Sequence, residues 1–151
     1  MTASSSLVRA GKQKKKIYRL DDQVGFILRQ VSQRHTALFT SGIGCDLTAM
    51  QWATMSKLAE MGPVTQNMLG RQTAMDAATI KGVVDRLTHR GLVATQQDAK
   101  HGRRLIVTLT DEGAELVESI IPNALAVTEE TLARLTSAER KTLIGLLLKL
   151  R

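Results

Sequence analysis

Four side chains that can carry positive charge crowd one short stretch: Lys100, His101, Arg103 and Arg104, set around Gly102. Upstream, Lys81 and Arg86 follow the small residues Ala77, Ala78 and Thr79. Cations of this kind neutralise phosphates, and small side chains let a backbone come close to a base edge. Thr79 can donate or accept a hydrogen bond and offer its methyl to thymine, while Lys81 and Arg86 suit phosphates. This is binding chemistry. The residues of bond-making chemistry are not assembled. There is no Gly-rich phosphate loop and no nucleophile elbow. His35, His89 and His101 are too scattered to form a zinc site with the single Cys45, so neither a metal nor another cofactor is expected. The adjacent Asp21 and Asp22 suit a helix start, where the dipole favours acids.

The net charge of +7 is unevenly placed. Residues 1–20 hold six Lys or Arg and no acid, leaving residues 21–151 nearly neutral. Residues 65–104 carry seven basic side chains against Asp76, Asp85 and Asp98. Residues 105–140 reverse the sign, with seven acids against Arg134 and Arg140. A basic stretch followed by an acidic one gives a polyanion one face to meet and another turned away. The aromatic content of 3% argues against an RNA binder that stacks bases.

The elements that must position these residues follow from period and caps. Residues 1–16 are Ser-, Ala- and Lys-rich without apolar period, and read as a flexible basic tail, either a solvated arm or one touching DNA phosphates. A first helix is expected from Asp21 as N-cap, with Val24, Ile27, Leu28 and Val31 as an apolar stripe extended by His35, Leu38 and Phe39. Thr48 and Gln51 form a capping box for a second helix, closed by Gly62 and Pro63. Thr65 can cap a short third helix through about Arg71. Asp76 can cap a fourth, with Ile80, Val83, Val84 and Leu87 inward and Gly91 as its stop. The period then changes. Residues 92–97 and 104–109 read as a β-hairpin whose loop is the basic stretch. Thr110 can cap a long fifth helix in which Pro122 predicts a kink, and Thr136 with Glu139 opens a sixth.

Two short helices joined by a tight turn, the second basic, form a helix-turn-helix pattern, in which the second helix enters the major groove. Thr65, Gln66 and Arg71 then belong to its first helix. A basic hairpin follows directly, and such a hairpin can place an arginine in the minor groove, where negative potential concentrates.

These residues resemble the MarR family of bacterial repressors. The likeness rests on Leu47-Thr48 with Gln51, on Thr79, on Val84-Asp85-Arg86-Leu87, and on Arg90-Gly91-Leu92-Val93. It continues through Asp98 and Arg103 to Leu109-Thr110 and Glu112-Gly113, and with the flanking helices covers residues 20–150. One position departs: the family's wing usually has an aspartate two residues before the tip arginine, and here His101 stands there. The resemblance implies a mainly α fold with a small β-hairpin wing. It implies a winged helix-turn-helix DNA-binding domain over 46–110 and a helical dimerisation region over 17–45 and 111–151. Double-stranded DNA and a second copy of the chain are the implied partners. The apolar Leu143, Leu146, Leu147 and Leu150 support a homodimer independently, because that helix needs a partner. A two-fold dimer reads half-sites about one helical turn apart.

Many members of the family are released from DNA by small aromatic acids. The run Arg34-His35-Thr36-Ala37-Leu38-Phe39 into Leu47-Thr48 resembles the subgroup that controls aromatic-compound catabolism. His35 beside Phe39, with Trp52 early in the second helix, offers stacking surface next to an ionisable ring, and Tyr18 and Arg19 offer a hydroxyl and a charge. The expected effector is a benzoate, hydroxycinnamate or hydroxynicotinate type of acid. The alternative is a thiol-based redox regulator acting through Cys45, although Asp46 beside it disfavours a thiolate. The chain of 151 residues is one domain's length, 43% apolar, with no membrane-spanning run and no secretory signal. The single cysteine agrees with a cytoplasmic setting.

Overall fold

In the computed structural model, which describes residues 16–151, five helices open on a side chain that accepts from their own first turn. Thr48 begins α2 (Ala49–Met61), where its hydroxyl accepts from Gln51 N at 3.1 Å and Gln51 Oε1 accepts from Thr48 N at 3.0 Å. Thr65 begins α3 (Gln66–Gln72), Asp76 begins α4 (Ala77–His89) and Thr110 begins α5 (Asp111–Thr131). Thr136 and Glu139 close the second capping box at α6 (Ser137–Leu150). Each cap satisfies a first-turn N–H that has no partner within its helix.

The first helix departs from this rule. Asp21 is not its cap: Leu20–Asp22 forms a separate 3₁₀ turn, and α1 runs Val24–Gly42 from Gln23, without a side-chain cap bond. The 3₁₀ turn closes through Gln23 N to Leu20 O at 2.9 Å, a local bond that competes with a helix starting at Asp21. The basic tail expected over 1–16 lies, but for Lys16, outside the described residues.

Two helix ends share one hydrogen-bond pattern. At the end of α4, Leu92 N donates to Leu87 O and Gly91 N to Thr88 O, with Gly91 at φ 73°. At the end of α3, Met75 N donates to Gly70 O and Ala74 N to Arg71 O, with Ala74 at φ 54°. Both are Schellman ends, which place the residue after the cap in the left-handed region; glycine does this freely and alanine does not.

The hairpin is β2 (Val93–Gln97) with β3 (Leu105–Leu109), antiparallel, Val93 opposite Leu109 and Gln97 opposite Leu105. A third strand, β1 (Val64–Thr65), pairs with the other edge of β3, giving the order β1-β3-β2. The sequence reading did not contain it. Met55, Leu58, Leu69, Ile80, Val84, Leu87 and Val107 form the core between helices and sheet. Phe39 of α1 and Ile43, which caps its end, belong to the same cluster as Val117, Ile120 and Val127 of α5. Gly113 sits so close to Leu92 that a Cβ would strike its carbonyl oxygen, so α5 can start there only on glycine. α5 runs unbroken through Pro122. Among the described residues, no helix is long and apolar enough to cross a membrane.

Candidate nucleic-acid interface and effector cavity

Burial of Ile80, Val83, Val84 and Leu87 fixes the rotation of α4 and leaves Ala77, Ala78, Lys81 and Arg86 exposed, with Thr79 half-buried. The N-terminal end of the second helix of the helix-turn-helix therefore presents small side chains to solvent. Asp76 caps that end by accepting from Thr79 N at 2.7 Å, and the Thr79 hydrogen bonds hold its carboxyl below the usual range. Lys81 pairs with Asp85 at 2.6 Å across an exposed turn of helix, a weak tie that a phosphate can replace. Arg71 is exposed at the end of α3.

The wing tip is organised by Asp98. Its Oδ1 accepts from Lys100 N at 3.0 Å, its N donates to Arg104 O at 2.9 Å, and His101 Nδ1 lies 3.6 Å from its Oδ2. Arg104 N donates back to His101 O at 2.8 Å. The turn is thus closed although His101 replaces the aspartate, and Arg103 and Arg104 stand exposed on it. The tip and the helix-turn-helix are neighbours: Thr65, Gln66 and Asn67 at the start of α3 border one cleft with Arg103 and Arg104. Asn67 was not singled out from sequence, because only the β1–β3 pairing brings it to the wing.

The expected effector residues do not all converge. His35 lines a cavity of about 470 Å³ between α1, α5 and α6, with Arg34, Thr131, Arg134, Leu143 and Leu147. His35 Nδ1 lies 2.8 Å from Thr131 Oγ1, and that hydroxyl donates to Val127 O at 2.8 Å. The hydroxyl hydrogen being committed, Thr131 accepts from Nδ1–H, and Nε2 takes no part in that bond. Arg34 donates to Thr131 O at 3.0 Å and Glu130 O at 3.3 Å, holding the last carbonyls of α5. Phe39 is only 6% exposed within the core, and Trp52 packs half-buried against that core; neither lines the His35 cavity. Tyr18 and Arg19 lie exposed before the 3₁₀ turn and do not line it either. Arg34 enters the sequence analysis only through the family resemblance, and Arg134 and Thr131 carry no signal there, since a contact between distant helices leaves no local spacing.

Cys45 is half-buried, and burial pushes its thiol up. A Leu47 backbone hydrogen bond and the Arg90 charge pull the other way, and Asp46 adds to the rise. The balance opposes the thiolate that redox sensing needs. No group of His, Cys, Asp and Glu among the described residues is placed to hold a metal.

Comparison with known proteins matches this geometry. The MarR family model matches residues 46–104. The chain is 41% identical over 135 residues to the HTH-type transcriptional repressor NicR of Pseudomonas putida, covering 88% of this chain and 85% of that one. Among solved structures, a probable transcriptional regulator of Pseudomonas aeruginosa superposes with a TM-score of 0.86 at 53% identity, over 88% of this chain and 100% of that one. BpsR of Bordetella bronchiseptica, whose DNA binding is regulated by 6-hydroxynicotinic acid, superposes with a TM-score of 0.86 at 38% identity, over 89% of this chain and 97% of that one. With its capped helix-turn-helix, three-stranded wing and flanking helices, the chain belongs to the MarR family of transcriptional regulators.

Proposed function

We propose that the protein is a dimeric repressor released from a pseudo-palindromic operator by a small aromatic acid of the hydroxynicotinate, benzoate or hydroxycinnamate type. Residues 46–110 bind DNA, and 17–45 with 111–151 make the dimer. Thr65, Gln66 and Arg71 lie on the backbone side, Ala77, Ala78 and Thr79 meet base edges, Lys81 and Arg86 meet phosphates, and the wing carries Arg103 to the adjacent groove with Arg104 beside it on the DNA-facing side. The observation that carries the effector reading is the cavity at His35. Its volume of about 470 Å³ suits a small molecule. Its apolar side chains suit a ring, Nε2 of His35 suits a hydroxyl or pyridone N–H, and the Arg134 guanidinium suits a carboxylate. The regulation of BpsR by 6-hydroxynicotinic acid supports this chemistry.

A route to the DNA is built into α5. Its far end borders the cavity, and its cap, Thr110, donates its hydroxyl to Gly91 O at 2.7 Å, where α4 ends. A ligand that binds the DNA-incompetent arrangement more tightly shifts the spacing of the two recognition helices. A coupling of about 1–3 kcal/mol gives a 5–150-fold loss of operator affinity. Calorimetry with 6-hydroxynicotinate, benzoate and hydroxycinnamates tests the site. His35→Ala should abolish ligand binding and release while operator affinity stays near wild type. Trp52→Ala, remote from the cavity, should change stability and leave ligand affinity intact. Undiminished ligand affinity in His35→Ala would place the pocket elsewhere.

A further inference from the structure

The cleft between α3 and the wing tip is too small for an effector. It measures about 80 Å³, well under the roughly 300–1,000 Å³ of small-molecule pockets. It is lined by Thr65, Gln66, Asn67, Arg103, Arg104 and Leu105, so two guanidiniums border it and no carboxylate does. Within the same segment, Gln66 Oε1 is fully buried and has no hydrogen-bond partner. A buried amide oxygen without a donor is costly, and most such groups in folded proteins are paired.

We propose that Gln66 is a positioning residue that locks the Arg104 guanidinium across this cleft when one backbone phosphate of DNA seats there. This rests on the DNA-binding reading above and adds to it a junction between helix-turn-helix and wing. Three observations lead to it. The pairing of Thr65 with Ile106 brings the first residues of α3, Gln66 and Asn67, to the start of β3, where Arg104 and Leu105 border the same cleft. The Arg104 backbone is pinned on both sides, its N donating to His101 O and its O accepting from Asp98 N, so the side chain pivots from a fixed point. The missing partner of Gln66 Oε1 is a donor, and a guanidinium has five N–H groups, enough to give one to the amide and two to a phosphate. The amide then orders the arginine, the arginine neutralises the phosphate, and the wing can no longer swing independently of α3.

The test is a double-mutant cycle on the full chain, read by anisotropy with a fluorescein-labelled mixed-sequence duplex, because a phosphate seat is indifferent to sequence. Gln66→Met keeps the volume and removes an unpaired buried oxygen, so it should melt no lower than wild type. It should nevertheless weaken DNA binding roughly tenfold, the loss of one hydrogen bond to a charged group. It should also flatten the log–log salt slope by about 0.9, although no charge is removed, because Arg104 is no longer held on its phosphate. Arg104→Ala should flatten the slope equally, and the double variant should bind no more weakly than Arg104→Ala. Additive losses, or an unchanged slope in Gln66→Met, would overturn the inference while leaving the DNA reading intact. A wild-type protein that does not bind the duplex, nor any fragment selected from a genomic DNA library, would overturn both.

Discussion

From Leu47 to Leu109 most apolar side chains turn inward, and Met55, Leu69, Val84, Leu87 and Val107 are buried almost completely. Along the first half of α1 and along α6 many apolar side chains face out. Val24 is 66% exposed, Val31 53%, Leu146 53% and Leu150 73%. The winged-helix region covers its own core because three helices and a sheet enclose one another. The helices outside it have no second layer over much of their length, and an exposed stripe of this size marks an interaction surface. One region is complete in a single chain, and the other leaves an apolar stripe open, which the proposed dimer would cover.

The comparison breaks most severely at that stripe. Replacing Leu28 and Leu146 together by Glu should remove about 3–6 kcal/mol of apolar burial from the dimer, a loss of roughly 10²–10⁴-fold in dimer affinity. Sedimentation should then show a monomer whose winged-helix region is still folded by near-UV circular dichroism. A monomer that also unfolds would show that the two regions are one cooperative unit. Next in size is Arg103→Ala, which should cost roughly 1–3 kcal/mol of operator binding if the side chain enters the minor groove, with dimerisation unchanged. Wild-type affinity in a titration would remove the wing tip from the interface.

Two smaller tests probe the self-sufficient region. Asp76 accepts from Thr79, and its folded carboxyl lies below the ordinary carboxylate range. Its contribution is therefore fully present above the unfolded value of about 3.9 and lost as pH falls through the folded one. Asp76→Ala should lower the Tm by a few degrees at pH 7, and the difference should shrink below about pH 4. A difference that persists at pH 3 would mean that the charge is not what matters. Ala74→Gly should act in the opposite direction. The left-handed conformation costs alanine roughly 1–2 kcal/mol, and glycine's extra entropy returns about 0.5–1 of it, so a gain of about 0.5–1 kcal/mol is expected in urea melts. A loss would mean that the Ala74 methyl makes a contact worth more than the strain.

Legibility followed the range of the interactions. Thr48, Thr65, Asp76, Thr110 and Thr136 were readable as caps because the donor and acceptor lie three residues apart. The inward stripe of α4 was readable because helical period is local, and that stripe in turn exposes Ala77, Ala78, Lys81 and Arg86. Asp21 misled because two local motifs compete there, and the 3₁₀ turn prevails. The strand β1 is two residues long and exists only through pairing with β3, more than forty positions away.

The amino-acid sequence alone determined the order and type of the helices, the hairpin and its basic tip, since caps, periodicity and turn residues act over a few positions. Only the tertiary structure decided which expected effector residues meet. It joined His35 to Thr131 and Arg134 and kept Phe39 and Trp52 in or against the core, because helix–helix packing sets such meetings across nearly a hundred residues. It likewise placed Gln66 and Asn67 against the wing, through a strand pairing that no short-range pattern encodes.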